Sequence, residues 1–212
     1  MATDLVEIDQ EKPSSEALDR AATFVRRGKV VAIPTDALYT LVADPFNLKA
    51  VQQVFNAKGR EINRSLPILV ADALMAEELA KQVPESFHVL ARRFWPGPLA
   101  MIMTASARVP LRATGNTGRL AVRQSSSAVV EGLVERLGHP LIATSANISG
   151  SPTCRSGIEV FGEMDGRVDL VLDGGLCSGP GATTVDITEP CWKMIREGAI
   201  PEREIAACLD TE

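Results

Sequence analysis

Aromatic side chains are scarce in this chain: 4 % of 212 residues, among them a single tyrosine, Tyr39. The core must therefore be aliphatic, and with apolar residues at 45 % there is enough Val, Leu, Ile and Ala for one large domain. Histidine is nearly absent, and the four cysteines, Cys154, Cys177, Cys191 and Cys208, never stand as C-x-x-C. Both shortages argue against a metal site built from protein side chains. The cysteines read as reduced thiols rather than disulfides. No stretch reaches ~18 consecutive apolar residues, and the opening MATDLVEIDQ has no apolar signal core. A soluble, cytoplasmic protein without membrane contact is expected. Basic excess is missing too: the net charge is -5, which argues against general nucleic-acid binding but leaves room for a local basic cleft.

Several catalytic signatures are also absent. There is no G-x-x-x-x-G-K-[ST] phosphate loop, no G-x-G-x-x-G after a strand and no G-x-S-x-G elbow. Chemistry here has to come from something other than a nucleophilic triad or a dinucleotide fold.

The pattern that is present alternates strands and helices. Ser14 and Ser15 can cap a helix whose stripe is Leu18, Ala21, Ala22 and Val25. KVVAI (29–33) follows as a strand. Asn47 caps a second helix that ends at Gly59, and PILVA (67–71) is a strand. Asp72 caps a third helix, and residues 84–95 form a fourth. LAMIMTA (99–105) and RLAVRQ (119–124) are strands, with the longest polar loop, 105–118, between them read as a mobile segment. A helix over 125–138 precedes the strand PLIATSA (140–146). Strands at 168–175, 183–188 and 192–198 follow one another closely, which implies antiparallel pairing, and a last helix starts near Pro201. Several strands are continuous apolar runs, so both of their faces should be covered. The expectation is a single α/β domain: a twisted, mixed parallel and antiparallel sheet flanked by helices. Residues 1–14 are a tail or first strand, 15–200 the domain proper and 201–212 a C-terminal helix.

Four polar clusters lie at element ends, where open α/β sheets bind ligands. They are Thr35, Asp36 and Tyr39; Lys58, Arg60 and Arg64; the stretch ATSANISG (143–150); and Arg196. Small hydroxyls and cations converging there suit an anionic ligand such as a phosphate. Each also has a plain reading. Lys58 and Arg60 are a basic helix end, ATSANISG is a strand and a turn, Arg196 is a solvent-facing arginine, and Tyr39 is a core tyrosine with a satisfied hydroxyl. WPGPL (95–99) reads as a structural corner.

In order along the chain, PTDALYTL, KGR, FWPGPL, AVR, PLIATSANISG, TTVD and IREG resemble the YrdC/TsaC family of threonylcarbamoyl-adenylate synthases, including its YciO-like branch. The resemblance covers roughly residues 15–200. It implies a YrdC-like fold with a concave basic cleft, and a nucleotidyltransferase that joins ATP, bicarbonate and L-threonine, releasing pyrophosphate. The product is the activated donor for t6A at tRNA position 37. Mg2+ would accompany ATP, and tRNA or other RNA contact is possible. The K-x-R and S-x-N motifs match Lys58, Arg60, Ser145 and Asn147, which the resemblance makes the catalytic set. Together with Arg64, Thr153 and Arg196 they form the implied nucleotide site. Arg123 matches the arginine that holds the threonine carboxylate, with Thr35, Tyr39 and Ala143 beside it, and PTDALYTL is similar to the loop that roofs this amino-acid site. The main rival is a non-catalytic paralogue that binds RNA or ribosomes.

The chain departs from the family pattern at Ala37, Leu69 and Ala182, where groups able to hydrogen-bond are expected. Glu61 and Ser65 replace prolines, and the proline of V-R-x-P is absent after Arg123. The amino-acid side of the site is therefore expected to be thinned of hydroxyls.

Overall fold

The structure, a computed structural model, describes residues 2–59 and 65–209. β1 (Asp4–Glu7) leads to α1 (Ser15–Arg26), where the Ser14 side chain accepts from Ala17 N at 3.3 Å. β2 (Val31–Ile33) turns through residues 34–39 into β3 (Thr40–Ala43). Asn47 then caps α2 (Leu48–Lys58), accepting from the amides of Lys49 and Ala50. β4 (Ile68–Leu69) precedes α3 (Ala73–Leu79), which Asp72 caps at Met75 N. α4 (Glu85–Phe94) ends in the 95–98 corner, which contains a cis Trp95–Pro96 bond and leads into β5 (Leu99–Thr104). β6 (Arg119–Arg123), α5 (Ala128–Leu137), β7 (Leu141–Ser145) and α6 (Gly157–Met164) follow. β8 (Leu170–Asp173), β9 (Thr183–Asp186), β10 (Lys193–Arg196) and α7 (Glu202–Leu209) complete the chain.

The strands form one mixed sheet in the order β1-β8-β2-β3-β7-β4-β6-β5-β9-β10. β8 runs parallel to β1 and β2, β4 parallel to β6 and β5 parallel to β9; the remaining neighbours are antiparallel. Alternation along each strand divides the apolar residues between two cores. On one face Leu41, Ile68, Met101, Val122 and Val185 meet α2, α4, α6 and α7. On the other, Ile33, Val42, Leu141 and Leu172 meet α1 and α5. These two helices cover only the β8-β2-β3-β7 half of their face, so the other half of that face is left open.

Three expectations are corrected by the tertiary structure. The strand at 168–175 does not pair with the one that follows it. β8 lies between β1 and β2, and of the three late strands only β9 and β10 pair with each other, antiparallel. Its LVL run is buried on both faces, which a position inside the sheet satisfies. The connection 174–182, nine residues with a reach of about 30 Å when extended, carries the chain to the far side. Second, the 105–118 segment is not a loose loop. It winds through successive turns, including Ala113 N to Pro110 O at 2.9 Å and Thr117 N to Thr114 O at 3.2 Å, and buries Val109, Ala113 and Thr114. Third, the sequence reading passes over β3 and α6, which the structure places after the 34–39 turn and after Ser156.

Candidate active site

The open half of the sheet is the floor of a cavity of about 640 Å3, within the range of small-molecule sites. Strand alternation puts Thr40, Ala143, Ser145, Leu69, Ala121, Arg123, Ala100, Thr184 and Arg196 along it. Thr35, Ala37 and Leu38 from the turn after β2 form one wall, and Gly181 and Ala182 form another. Two close approaches build these walls. A side chain at Gly179 would meet Asp36 O at 2.7 Å, and one at Gly198 would meet Gly181 O at 2.1 Å. Glycine lets the two loop pairs touch.

Arg123 is the buried cation of the cavity, only 8 % exposed. Its Nε donates to Gly97 O at 2.9 Å, so the Trp95–Pro98 corner sets the guanidinium plane. Its Nη2 donates to Asp36 Oδ2, and Asp36 also accepts from the hydroxyls of Ser125 and Ser126. Nη1 has no partner among the described residues. Burial pulls the Arg123 pKa down, the Asp36 carboxylate opposes that pull, and nearby Arg196 adds to it. A nine-tenths-buried guanidinium that lines a cavity and keeps one nitrogen uncommitted among the described residues has the chemistry suited to a planar anion such as a carboxylate.

Arg196, exposed on β10, donates from Nε and Nη2 to Ala182 O at 3.2 and 2.9 Å. That bond fixes its stem at the cavity wall. Behind the cavity, Lys58 at the end of α2 is 3 % exposed. Its ammonium donates to Ser145 O at 2.6 Å, Asn147 O at 2.8 Å and Asn147 Oδ1 at 3.2 Å. Ser145 Oγ donates to Asn147 Oδ1 at 2.6 Å, and Asn147 Nδ2 donates to Ile148 O and Ser151 O. The Lys58, Ser145 and Asn147 motifs, distant in sequence, thus form one knot. Of the three, Ser145 lines the cavity. Lys58 holds the turn after β7 and does not itself line the cavity. Arg60 and Arg64 lie outside the described residues.

The remaining sequence-derived candidates divide. Thr35 and Ala143 line the cavity. Tyr39 does not: it is fully buried, its hydroxyl donating to Gly175 O at 2.8 Å and accepting from Gly174 N at 3.0 Å. Its place in the opening motif is explained by holding the turn after β8 against the turn after β2, and the plain reading of a core tyrosine is the one the geometry matches. Thr153 sits half-buried on the loop before α6, away from the cavity lining. Ala37, Leu69 and Ala182, the positions where the motif departs from its pattern, all face the cavity. The sequence reading missed the Asp36–Arg123 pair with Ser125 and Ser126, and it missed Thr184. Pairs 87 and 89 residues apart carry no local signal, whereas the serine run after AVRQ was visible but read only as a helix start.

The Sua5/YciO/YrdC family model, described as telomere recombination, matches residues 23–198. The threonylcarbamoyl-AMP synthase of Pyrococcus abyssi is 39 % identical over 186 residues, 87 % of this chain and 55 % of that protein. That of Bacillus subtilis is 30 % identical over 203 residues, 95 % of this chain and 59 % of the relative. The chain thus spans a little over half the length of these two relatives. Among solved structures, P. abyssi Sua5 complexed with L-threonine superposes with a TM-score of 0.94 at 36 % identity, covering 98 % of this chain and 61 % of that one. E. coli YciO shares the fold at 22 % identity, with a TM-score of 0.86 over 94 % of this chain and 97 % of its own. With the family model spanning most of its length, the chain belongs to the Sua5/YciO/YrdC family.

Proposed function

We propose that this chain is a nucleotidyltransferase that makes a threonylcarbamoyl-adenylate, or a close carbamoyl-adenylate, from ATP, bicarbonate and a small amino acid. The observation that carries this reading is Arg123: a buried guanidinium held by Gly97 O and Asp36, lining a cavity large enough for more than one substrate, with Nη1 uncommitted among the described residues. The similarity to a family structure complexed with L-threonine supports an amino acid as the carboxylate bound there. Arg196, at the exposed end, is the cation suited to the nucleotide phosphates, with Lys58, Ser145 and Asn147 shaping the wall between.

In this mechanism the amino group and bicarbonate condense to a carbamate and water. A carbamate oxygen attacks the α-phosphorus of ATP, and pyrophosphate leaves. The nucleophile belongs to the substrate, so no activated side chain is required. The protein's part is to align carbamate and α-phosphate and to set cations and donors against the charge that develops. No carboxylate lines the cavity among the described residues, so no side chain there suits Mg2+. The ion would be held by the triphosphate. The product would serve t6A formation on tRNA, with the tRNA a downstream partner.

The test is pyrophosphate release on mixing the chain with ATP, bicarbonate and L-threonine. Release should require all three. Arg123→Gln should raise the amino-acid KM by about 10- to 100-fold, the scale of a charge-assisted hydrogen bond. No release with any small amino acid, together with RNA binding through the same face, would replace the enzyme reading by that of an RNA-binding paralogue.

A further inference from the structure

The groups around the open edge of Arg123 are almost all hydrocarbon. Leu69 is its cross-strand neighbour on β4, and Ala121 lies two residues before it on β6. Ala100 on β5, Ala143 on β7 and the loop residues Ala37 and Ala182 line the same space.

The hydroxyls of this cavity are mostly committed to the protein itself. Thr35 Oγ1 donates to Leu38 O at 2.7 Å and accepts from the amides of Ala37 and Leu38. Thr40 Oγ1 donates to Leu38 O and Ser145 Oγ to Asn147 Oδ1. Ser65 Oγ points to Arg119 O at 3.5 Å. Thr144 also borders the cavity, but it is paired with Leu41 on β3, so strand alternation sends its side chain toward the opposite core. Thr184 differs from all of these. It is half-buried on β9, paired with Ala100 on one side and Arg196 on the other, and its hydroxyl has no partner among the described residues. β9 lies two strands from β6, about 10 Å at the usual strand spacing. The long Arg123 side chain and an amino acid of threonine's size together span that distance.

Resting on the reading of the cavity as an amino-acid site, we propose that it sorts amino acids chiefly by size, and that, among the described residues, Thr184 is the side chain that reads a substrate hydroxyl. Threonine and valine have nearly the same shape, so a wall of methyls accepts both. An apolar pocket rejects an isostere with an added hydroxyl only weakly, whereas strong discrimination needs buried polar partners that the wrong substrate leaves unpaired. A single half-buried hydroxyl supplies one neutral hydrogen bond. Threonine is therefore preferred over valine by about tenfold at most.

The experiment is calorimetric titration of the full chain with L-threonine and L-valine, for the natural protein, Thr184→Val and Thr184→Ser. The expected result is a threonine-to-valine affinity ratio of up to about tenfold in the natural protein. It should fall to about one in Thr184→Val and be retained in Thr184→Ser. A ratio near a thousandfold in the natural protein, or one unchanged in Thr184→Val, would overturn the proposal while leaving the amino-acid site intact. Binding of neither amino acid would overturn the reading of the cavity and this proposal with it. Should Thr184→Val fail to fold by its melting curve, the natural ratio and that of Thr184→Ser still decide the outcome.

Discussion

Removing the Asp36 carboxylate should destabilise the protein in a way that anions reverse. The side chains of Arg123 and Asp36 are only 9 % and 14 % exposed. Asp36→Ala leaves the guanidinium with Gly97 O as its protein acceptor among the described residues and strips Ser125 and Ser126 of theirs. Breaking a buried pair by deleting one partner costs about 3–5 kcal/mol. The cavity lets water reach the guanidinium, so the lower end, about 3 kcal/mol, is expected. For a chain of this size that corresponds to a fall of about 6–12 °C in Tm. The vacated Arg123 then becomes an anion site in the folded state alone. A carboxylate such as acetate at about 100 times its Kd should return about 2.7 kcal/mol. Urea unfolding followed by circular dichroism, with and without acetate at matched ionic strength, measures both effects. Asp36→Asn, which keeps an acceptor for Nη2, should lose less. A loss under 0.5 kcal/mol for Asp36→Ala, or a loss that acetate leaves unchanged, would refute the assignment of Arg123 as a buried, cavity-facing cation.

Three further outcomes follow from groups remote from the cavity floor. Tyr39→Phe removes the hydroxyl shared by Gly174 N and Gly175 O, and should cost about 1–2 kcal/mol in urea unfolding. Burial and Glu163 push the Cys154 thiol up to about 12, and burial raises Cys177 as well. The unfolded thiols ionise near 9.0. The stability these thiols contribute is therefore complete below pH about 9 and is lost as pH rises through the folded values, so the urea midpoint should fall between pH 9 and 11 and fall less in Cys154→Ala. At pH 8 iodoacetamide should label exposed Cys191 well before Cys154 and Cys177, as peptide mapping would read.

The sequence carries the local chemistry. Ser14, Asn47 and Asp72 announced helix starts because a cap is a contact between residues two or three apart. The continuous apolar runs announced strands covered on both faces, and the ordered motifs announced the family and most of the residues at the cavity. Lys58, Ser145, Thr35, Ala143, Arg123 and Arg196 were all singled out from short stretches. What each does was decided elsewhere. Lys58 supports a turn from beneath, and Tyr39 ties two turns together in the core.

The position of β8, the union of Arg123 with Asp36 and the uncommitted hydroxyl of Thr184 belong to the tertiary structure alone. Each depends on which strands become neighbours, and strand pairing joins residues far apart in the chain through backbone hydrogen bonds that are the same for every sequence. Side-chain pattern determines which face of a strand is buried, so alternation along β6 already put Ala121 and Arg123 on one side. It does not determine which strand lies alongside. Only the assembled sheet, with α1 and α5 covering half of one face, decides that this side is open and that Arg123, Leu69, Ala100 and Thr184 meet there.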